Sequence, residues 1–200
     1  MKISLTIKQL IKTGIHIGHQ KNRWNTKMSS NILGIIKDIH ILNIEETIIM
    51  LRIILNVLKE IIINRRNILI INNNIKNIDN VIKRISNKNI KYYTDKKWIN
   101  GYLTNKINFV DNKRMPELLI IYDINNNLYA IKEANKLNIP IISIVDSNNN
   151  PALVTYPIPG NNESIQSMQL ITNLLNNMIM NSIINEKLFY KYKYNIYKVM

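Results

Sequence analysis

Three short apolar runs constrain this chain most: NILIIN (67–72), ELLIIYD (117–123) and PIISIVD (140–146). Each places large aliphatic side chains at successive positions, so a strand built from it must be covered on both faces. Between and around the runs, apolar residues recur at helical spacing. This predicts helices from Ile44 to about Asn64, over 74–86 (NIKNIDNVIKRIS), over 127–138 (NLYAIKEANKLN) and over 163–186. Buried-type strands alternating with helices predict a Rossmann-like, doubly wound α/β domain, a parallel sheet with helices on both faces. IHILN (39–43) reads as a further strand and KYY (91–93) as a brief one. Residues 4–13 (SLTIKQLIKT) predict a helix that stops at Gly14, and Asn43 with Glu46 reads as a capping box opening the helix at Ile44.

Two hundred residues suit one such domain. We expect it to occupy 1–186, its first 37 residues forming a basic helix and loop. Residues 187–200 (KLFYKYKYNIYKVM) form a basic, aromatic tail, expected to stay disordered until it meets a partner.

Charge narrows the function. The chain carries 27 Lys and Arg against 13 Asp and Glu, a formal charge of +14, which favours a polyanionic partner. There is no cysteine, which excludes disulfides, thiolate catalysis and cysteine-ligated zinc. No uninterrupted apolar run reaches the roughly 20 residues of a membrane-spanning helix. The opening MKISLTIKQLIKTG is too short in its apolar part, and too interrupted by lysine, for a signal peptide. The 43 Ile, 34 Asn and 21 Lys stand against 3 Ala and 5 Gly, the mark of an A+T-rich genome. Under that pressure a single lysine is weak evidence, and Asn-rich runs such as NNNIKNIDN read as biased loops.

The basic residues are nevertheless localised. Residues 1–37 hold seven Lys or Arg and no acid. Residues 83–106 hold seven more against Asp95 alone, with Tyr92, Tyr93 and Trp98 interleaved; the tail adds four lysines and five aromatics. Cations supply phosphate contacts and planar rings can stack on bases, so these segments point to RNA.

Rival sites are thinner. Asp123 and Asp146 stand at strand ends, where doubly wound folds place their ligands. An orphan nucleotide-binding or phosphoacceptor domain would use them, but no G-x-G-x-x-G or G-x-x-x-x-G-K-[ST] loop accompanies them. NKIN (105–108) and NKLN (135–138) are near misses of the guanine-reading N-K-x-D. The plainer reading has both aspartates capping strands or helices. His16 and His19 in GIHIGH can begin a zinc site, but no third ligand is identifiable. Gly14 and Gly18 beside them predict a turn whose backbone approaches a neighbour closely.

Five blocks in order carry a resemblance. GIHIGHQKNRWNTKM (14–28) is similar to the opening of the small-subunit ribosomal protein S-two family, G-x-H-x-G-H followed by R/K-W-N-P-K-M. DIHILNIEET (38–47), KKWINGYLTN (96–105), EANKLNIPIISIVDSNNNP (133–151) and YPIPGNNESIQSMQLI (156–171) resemble its later blocks. The resemblance implies a flavodoxin-like domain and a ribosomal constituent without catalysis, cofactor, metal, small-molecule substrate or self-association. Its partners would be small-subunit rRNA and neighbours of the S-three and S-five types near the head–body junction, with S-one anchored nearby. It implies RNA contacts from His16, His19, Lys21, Arg23, Trp24, Lys27, Lys96, Lys97, Asn105 and Lys106, Trp24 chiefly packing beneath its loop.

Three departures stand out. Thr26 replaces a family Pro, and Asn100 a family Gly. Where bacterial members insert a projecting helical hairpin, only KINFVDNKRM separates Asn105 from Pro116. Ten residues make about 15 Å of one helix, so the hairpin is expected to be missing. A bacterial-type pattern in an A+T-rich composition suggests an organellar ribosome, in a plastid or apicoplast first and a mitochondrion second.

Overall fold

The computed structural model describes residues 6–71, 93–95, 98–105 and 115–199, with side chains for all of these except 93–95 and 183–199. In chain order the elements are α1 (Ile7–Lys12), β1 (Ile17–Gln20), β2 (Ile32–Ile36), β3 (Ile39–Leu42), α2 (Ile44–Ile63), β4 (Ile68–Ile71) and β5 (Tyr93–Asp95). There follow β6 (Leu118–Ile121), α3 (Leu128–Lys136), β7 (Ile141–Val145), β8 (Tyr156–Pro159) and α4 (Ile165–Val199). The expected helix at 74–86, Lys96, Lys97, Lys106 and nearly all of the 106–115 connection lie outside the described residues.

The predicted parallel sheet is present, with spatial order β5-β4-β6-β7-β8 and every neighbouring pair parallel. Counted within the sheet, its second strand lies outside its first, which is the flavodoxin-like order. Strand alternation divides the apolar runs between two cores. Ile68, Ile70, Leu118, Ile120, Ile142 and Ile144 face α2 and α4, which contribute Leu51, Ile54, Leu58, Ile171 and Leu175. Leu69, Ile71, Leu119, Ile121, Ile141 and Val145 face the other way, onto α3 through Ala130, Ile131 and Ala134, and onto Met28 and Leu42.

Sequence signals set the helix ends. Thr6 and Gln9 form a reciprocal capping box on α1, which stops before Gly14 at φ +71°. Asn43 does cap α2, its side chain accepting from Glu45 N–H at 3.0 Å; no reciprocal bond from Glu46 joins it among the described residues. The near-miss NKLN proves to be the end of α3. Asn138 takes φ +54°, with Ile139 N–H donating to Ala134 O and Asn138 N–H to Asn135 O. That is a Schellman motif, followed by Pro140.

Four differences from expectation matter. β1 and β2 flank β3 in a separate antiparallel sheet, order β1-β3-β2, that the sequence reading reduced to one strand. β8 was hidden by Pro157 and Pro159, which a strand tolerates at the edge of a sheet, where β8 lies. The brief strand near KYY falls two residues later, at Tyr93–Asp95. The last helix does not end at 186: its backbone stays helical to Val199, in place of a disordered tail. No Gly or Pro interrupts the chain after Gly160, so nothing in the sequence stops the helix before its end.

Candidate nucleic-acid interface

The segment after α1 folds back against the loop that follows β7. Gly18 makes this possible, since a Cβ there would sit 2.8 Å from Ser147 Oγ and 3.2 Å from the His40 carbonyl oxygen. No larger residue fits without moving backbone, which is the close approach expected of this glycine. Ser147, fully buried, then accepts from two parts of the segment: its Oγ from His19 N–H at 2.8 Å and its carbonyl from Asn25 N–H at 2.8 Å.

His19 forms the clasp. Its Nε2 lies 3.0 Å from Glu163 Oε1 and 3.2 Å from the Asn148 amide nitrogen. Its Nδ1 is 3.1 Å from Asp146 Oδ1, close enough for an ion pair although the angle is outside hydrogen-bond geometry. Burial, the largest influence on this ring, disfavours its charge; the Asp146 and Glu163 carboxylates outweigh burial, and the pKa rises above the ordinary 6.5. The same segment is held further on, where Asn161 N–H donates to Ile15 O at 2.9 Å. Blocks 14–28, 133–151 and 156–171 of the sequence thus converge on one clasp.

The loop it carries presents the cations outward. Lys21 is tied to Asp38 twice, backbone to backbone at 2.9 Å and Nζ to Oδ1 at 2.6 Å. Asn25 accepts from Lys27 N–H at 3.0 Å and caps the 3-10 helix Thr26–Asn31, whose Met28 anchors it in the core. Arg23 and Lys27 are exposed and without an ion-pair partner among the described residues. Trp24 does not pack beneath the loop as expected. It is 41% exposed and leans on His40, ring centroids 5.3 Å apart at 37°; Met28 fills the buried position instead. His16 is half-buried, and its carbonyl accepts from Leu42 N–H at 2.8 Å.

The 96–105 block is organised by one carboxylate on α3. Glu133 Oε1 accepts from Trp98 Nε1 at 3.2 Å and Gly101 N–H at 2.7 Å, and Oε2 from Leu103 N–H at 3.0 Å. Trp98 meets Tyr102 edge to face. The left-handed backbone of this turn falls on Gly101, φ +83°, so Asn100 is spared it. Asn105 is exposed at the end of the turn, its N–H donating to Gly101 O. Ser147, Glu163 and Glu133, which hold both loops in place, lay inside the quoted blocks but carried no signal of these roles.

The strand-end aspartates hold loops, Asp123 its own and Asp146 its own together with the 160–163 turn. Asp123 accepts from Asn125 N–H and the Asn126 side chain, while its carbonyl accepts from Asn127. Asp146, 1% exposed, accepts from Ser147 N–H and Asn162 N–H. Both thus hold loop backbone, and neither is the side-chain cap of a described helix. Among the described residues no group of three or more His, Asp or Glu side chains is arranged to hold a metal ion, and no helix is long and apolar enough to cross a membrane.

Fold and site together define a class: a flavodoxin-like α/β scaffold whose strand-end acids brace loops and whose exposed cations gather on an N-terminal segment. The family model described as Ribosomal protein S2 matches residues 10–109 and 106–182, and the chain belongs to that family, a structural constituent of the small ribosomal subunit. It is 31% identical to the small ribosomal subunit protein uS2 of Ehrlichia chaffeensis, over 89% of this chain and 76% of the relative. With the corresponding protein of Rickettsia massiliae it shares 31% identity over 86% of this chain and 73% of the relative.

Proposed function

We propose that the chain binds small-subunit rRNA through its 20–28 loop and acts by placement, with no catalysis, cofactor or small-molecule substrate. One observation carries this reading: Arg23 and Lys27 stand exposed on a loop whose backbone is fixed from both sides, by Ser147 and by Asp38. Cations on a rigid loop meet phosphates without first losing loop entropy. Lys21 adds charge, the exposed part of Trp24 offers a ring for stacking, and His16 and His19 support the loop from within. Lys96, Lys97, Asn105 and Lys106 are assigned to rRNA as well, on the family resemblance of the 96–105 block.

The protein sits as a monomer among neighbours of the S-three and S-five types near the head–body junction. The chain is one α/β domain over 1–186, and the basic, aromatic end of α4 is a further contact with the particle. The A+T-driven composition supports an organellar ribosome, plastid or apicoplast before mitochondrion. Loss of the projecting hairpin is supported by the way relatives align. The match to the Ehrlichia chaffeensis protein runs over 221 positions yet covers 89% of this 200-residue chain. The family model likewise matches in two pieces that meet at 106–109.

Salt-dependent binding to an rRNA fragment tests the loop. Replacing Arg23 and Lys27 together by Ala should lower the slope of log K against log salt by roughly 1.5–2. An unchanged slope would return RWNTKM to a solvated loop.

A further inference from the structure

The antiparallel sheet ends in an open edge. β2 pairs with β3 on one side and, among the described residues, with nothing on the other. The strand, ILGII, carries no charge, and Leu33, Ile35 and Ile36 are 67%, 53% and 62% exposed. Folded proteins usually guard such an edge with Lys, Pro or a covering element, because unpaired N–H and C=O groups beside apolar side chains invite another strand. Here the approach is clear: among the described residues a Cβ on Gly34 would meet nothing within 4 Å.

Beside the strand lies an open groove of about 300 Å³, lined by Lys21, Trp24, Ile32, Leu33, Ile35 and His40. His40 is 4% exposed, and both its ring nitrogens are buried without a hydrogen-bond partner. One of those nitrogens always carries a proton and needs an acceptor. Lys37, at the turn next to Ile36, is exposed and has no ion-pair partner among the described residues.

We propose that β2 and this groove receive an extended segment of another small-subunit protein, apolar at alternate positions and acidic between them, which adds to the sheet as a fourth strand. Its backbone pairs with β2 and its apolar residues cover Leu33 and Ile35. An acidic residue between the apolar ones meets Lys37. RNA fits this edge poorly, having neither a peptide ladder nor aliphatic side chains. A second copy fits poorly too, since edge-to-edge pairing would bring two chains of +14 together. The inference rests on membership of the ribosomal family; its groove borders the proposed rRNA face at Lys21 and Trp24, whereas Leu33, Ile35 and Lys37, which the test probes, are not part of that face.

The test uses the full chain with Ile35 replaced by the photocrosslinking residue p-benzoylphenylalanine, incorporated into small subunits in cells. Illumination should join it to one ribosomal protein, through a segment that mass spectrometry maps as alternating apolar and acidic. Amides of residues 33–36 should exchange at least about tenfold more slowly in purified subunits than in the free protein. L33T/I35T should remove that slowing, and Lys37→Glu should lower the crosslink yield of the position-35 probe. Both variants should keep the circular dichroism of the parent, since they change exposed side chains. L33T/I35T should also leave the salt slope of rRNA binding unchanged, which separates failure here from failure of the loop assignment. Crosslinks to rRNA, to a second copy or to a basic segment would overturn the proposal, as would equal exchange in free and assembled protein.

Discussion

The two sheets of this protein share a composition and use it in opposite ways. The central strands of the five-stranded parallel sheet are Ile, Leu and Val at 0–1% exposure through β4, β6 and, Ser143 apart, β7. The three-stranded antiparallel sheet is also rich in Ile, yet β2 holds Leu33, Ile35 and Ile36 in solvent and only His40 and Leu42 of β3 are buried. What separates them is covering. α2 and α4 close one face of the large sheet and α3 the other, whereas among the described residues β2 has a neighbour on one side alone. An isoleucine here reports its role only through what packs on it.

The sharpest way to break this contrast is to shorten one aliphatic residue in each sheet. Ile120→Ala, in the middle of β6, should cost about 2–5 kcal/mol in chemical denaturation, from lost burial and the cavity left behind. Leu33→Ala on β2 should stay within about 0.5 kcal/mol of the parent. Comparable losses would mean that β2 is covered within the isolated chain.

A second comparison asks what fixes the loops around the large sheet. Glu133→Gln keeps an acceptor for Trp98 and Gly101 but sets an amide N–H against the N–H of Leu103. The expected cost is about 1–3 kcal/mol, the range for a buried donor left unpaired. Trp98 fluorescence should shift red, and the amides of 101–103 should exchange faster. Unchanged exchange there would show that the turn holds itself.

The smallest effect concerns the clasp joining the two sheets. Because the pKa of His19 is raised in the folded state, its contribution is fully present below about 6.5 and is lost as pH rises through the raised value. The parent should therefore melt at a higher temperature at pH 5.5 than His19→Gln does, and the two should converge by pH 8.5. A constant gap between them would make the ring a packing element only.

This contrast also explains what the sequence could disclose. NILIIN, ELLIIYD and PIISIVD were readable because a strand covered on both faces is apolar at nearly every position, Ser143 being the one exception in the three strands. β8 was not, because its prolines argue against a strand unless its edge position is known. β2 was missed because its pairing with β3 depends on Lys37 and Asp38 both taking left-handed backbone, at φ 49° and 62°, to close a two-residue hairpin, and β1 because it pairs with the far side of β3, about twenty residues along the chain. That turn normally announces itself by Asn-Gly, and Lys-Asp gives no such sign. The cationic loop was legible as charge, and Gly18 as a close approach. The orientation of Trp24 and the roles of Ser147, Glu163 and Glu133 were not, since each depends on residues far away in the chain.

That distance has a consequence for how the molecule comes to be made. His19 is joined to Ser147 across 128 positions and to Glu163 across 144. Contacts between residues so far apart form late, because the loop between them must close first. Synthesis runs from the N-terminus, so the segment bearing Arg23 and Lys27 leaves the polypeptide exit tunnel well before the residues that hold it. The β2–β3 hairpin needs only its own two strands and can close early. The 20–28 loop has to wait for β7 and the start of α4. Its cations therefore take up their final arrangement only when the sheet behind them is complete, and an unfinished chain lacks the ordered loop.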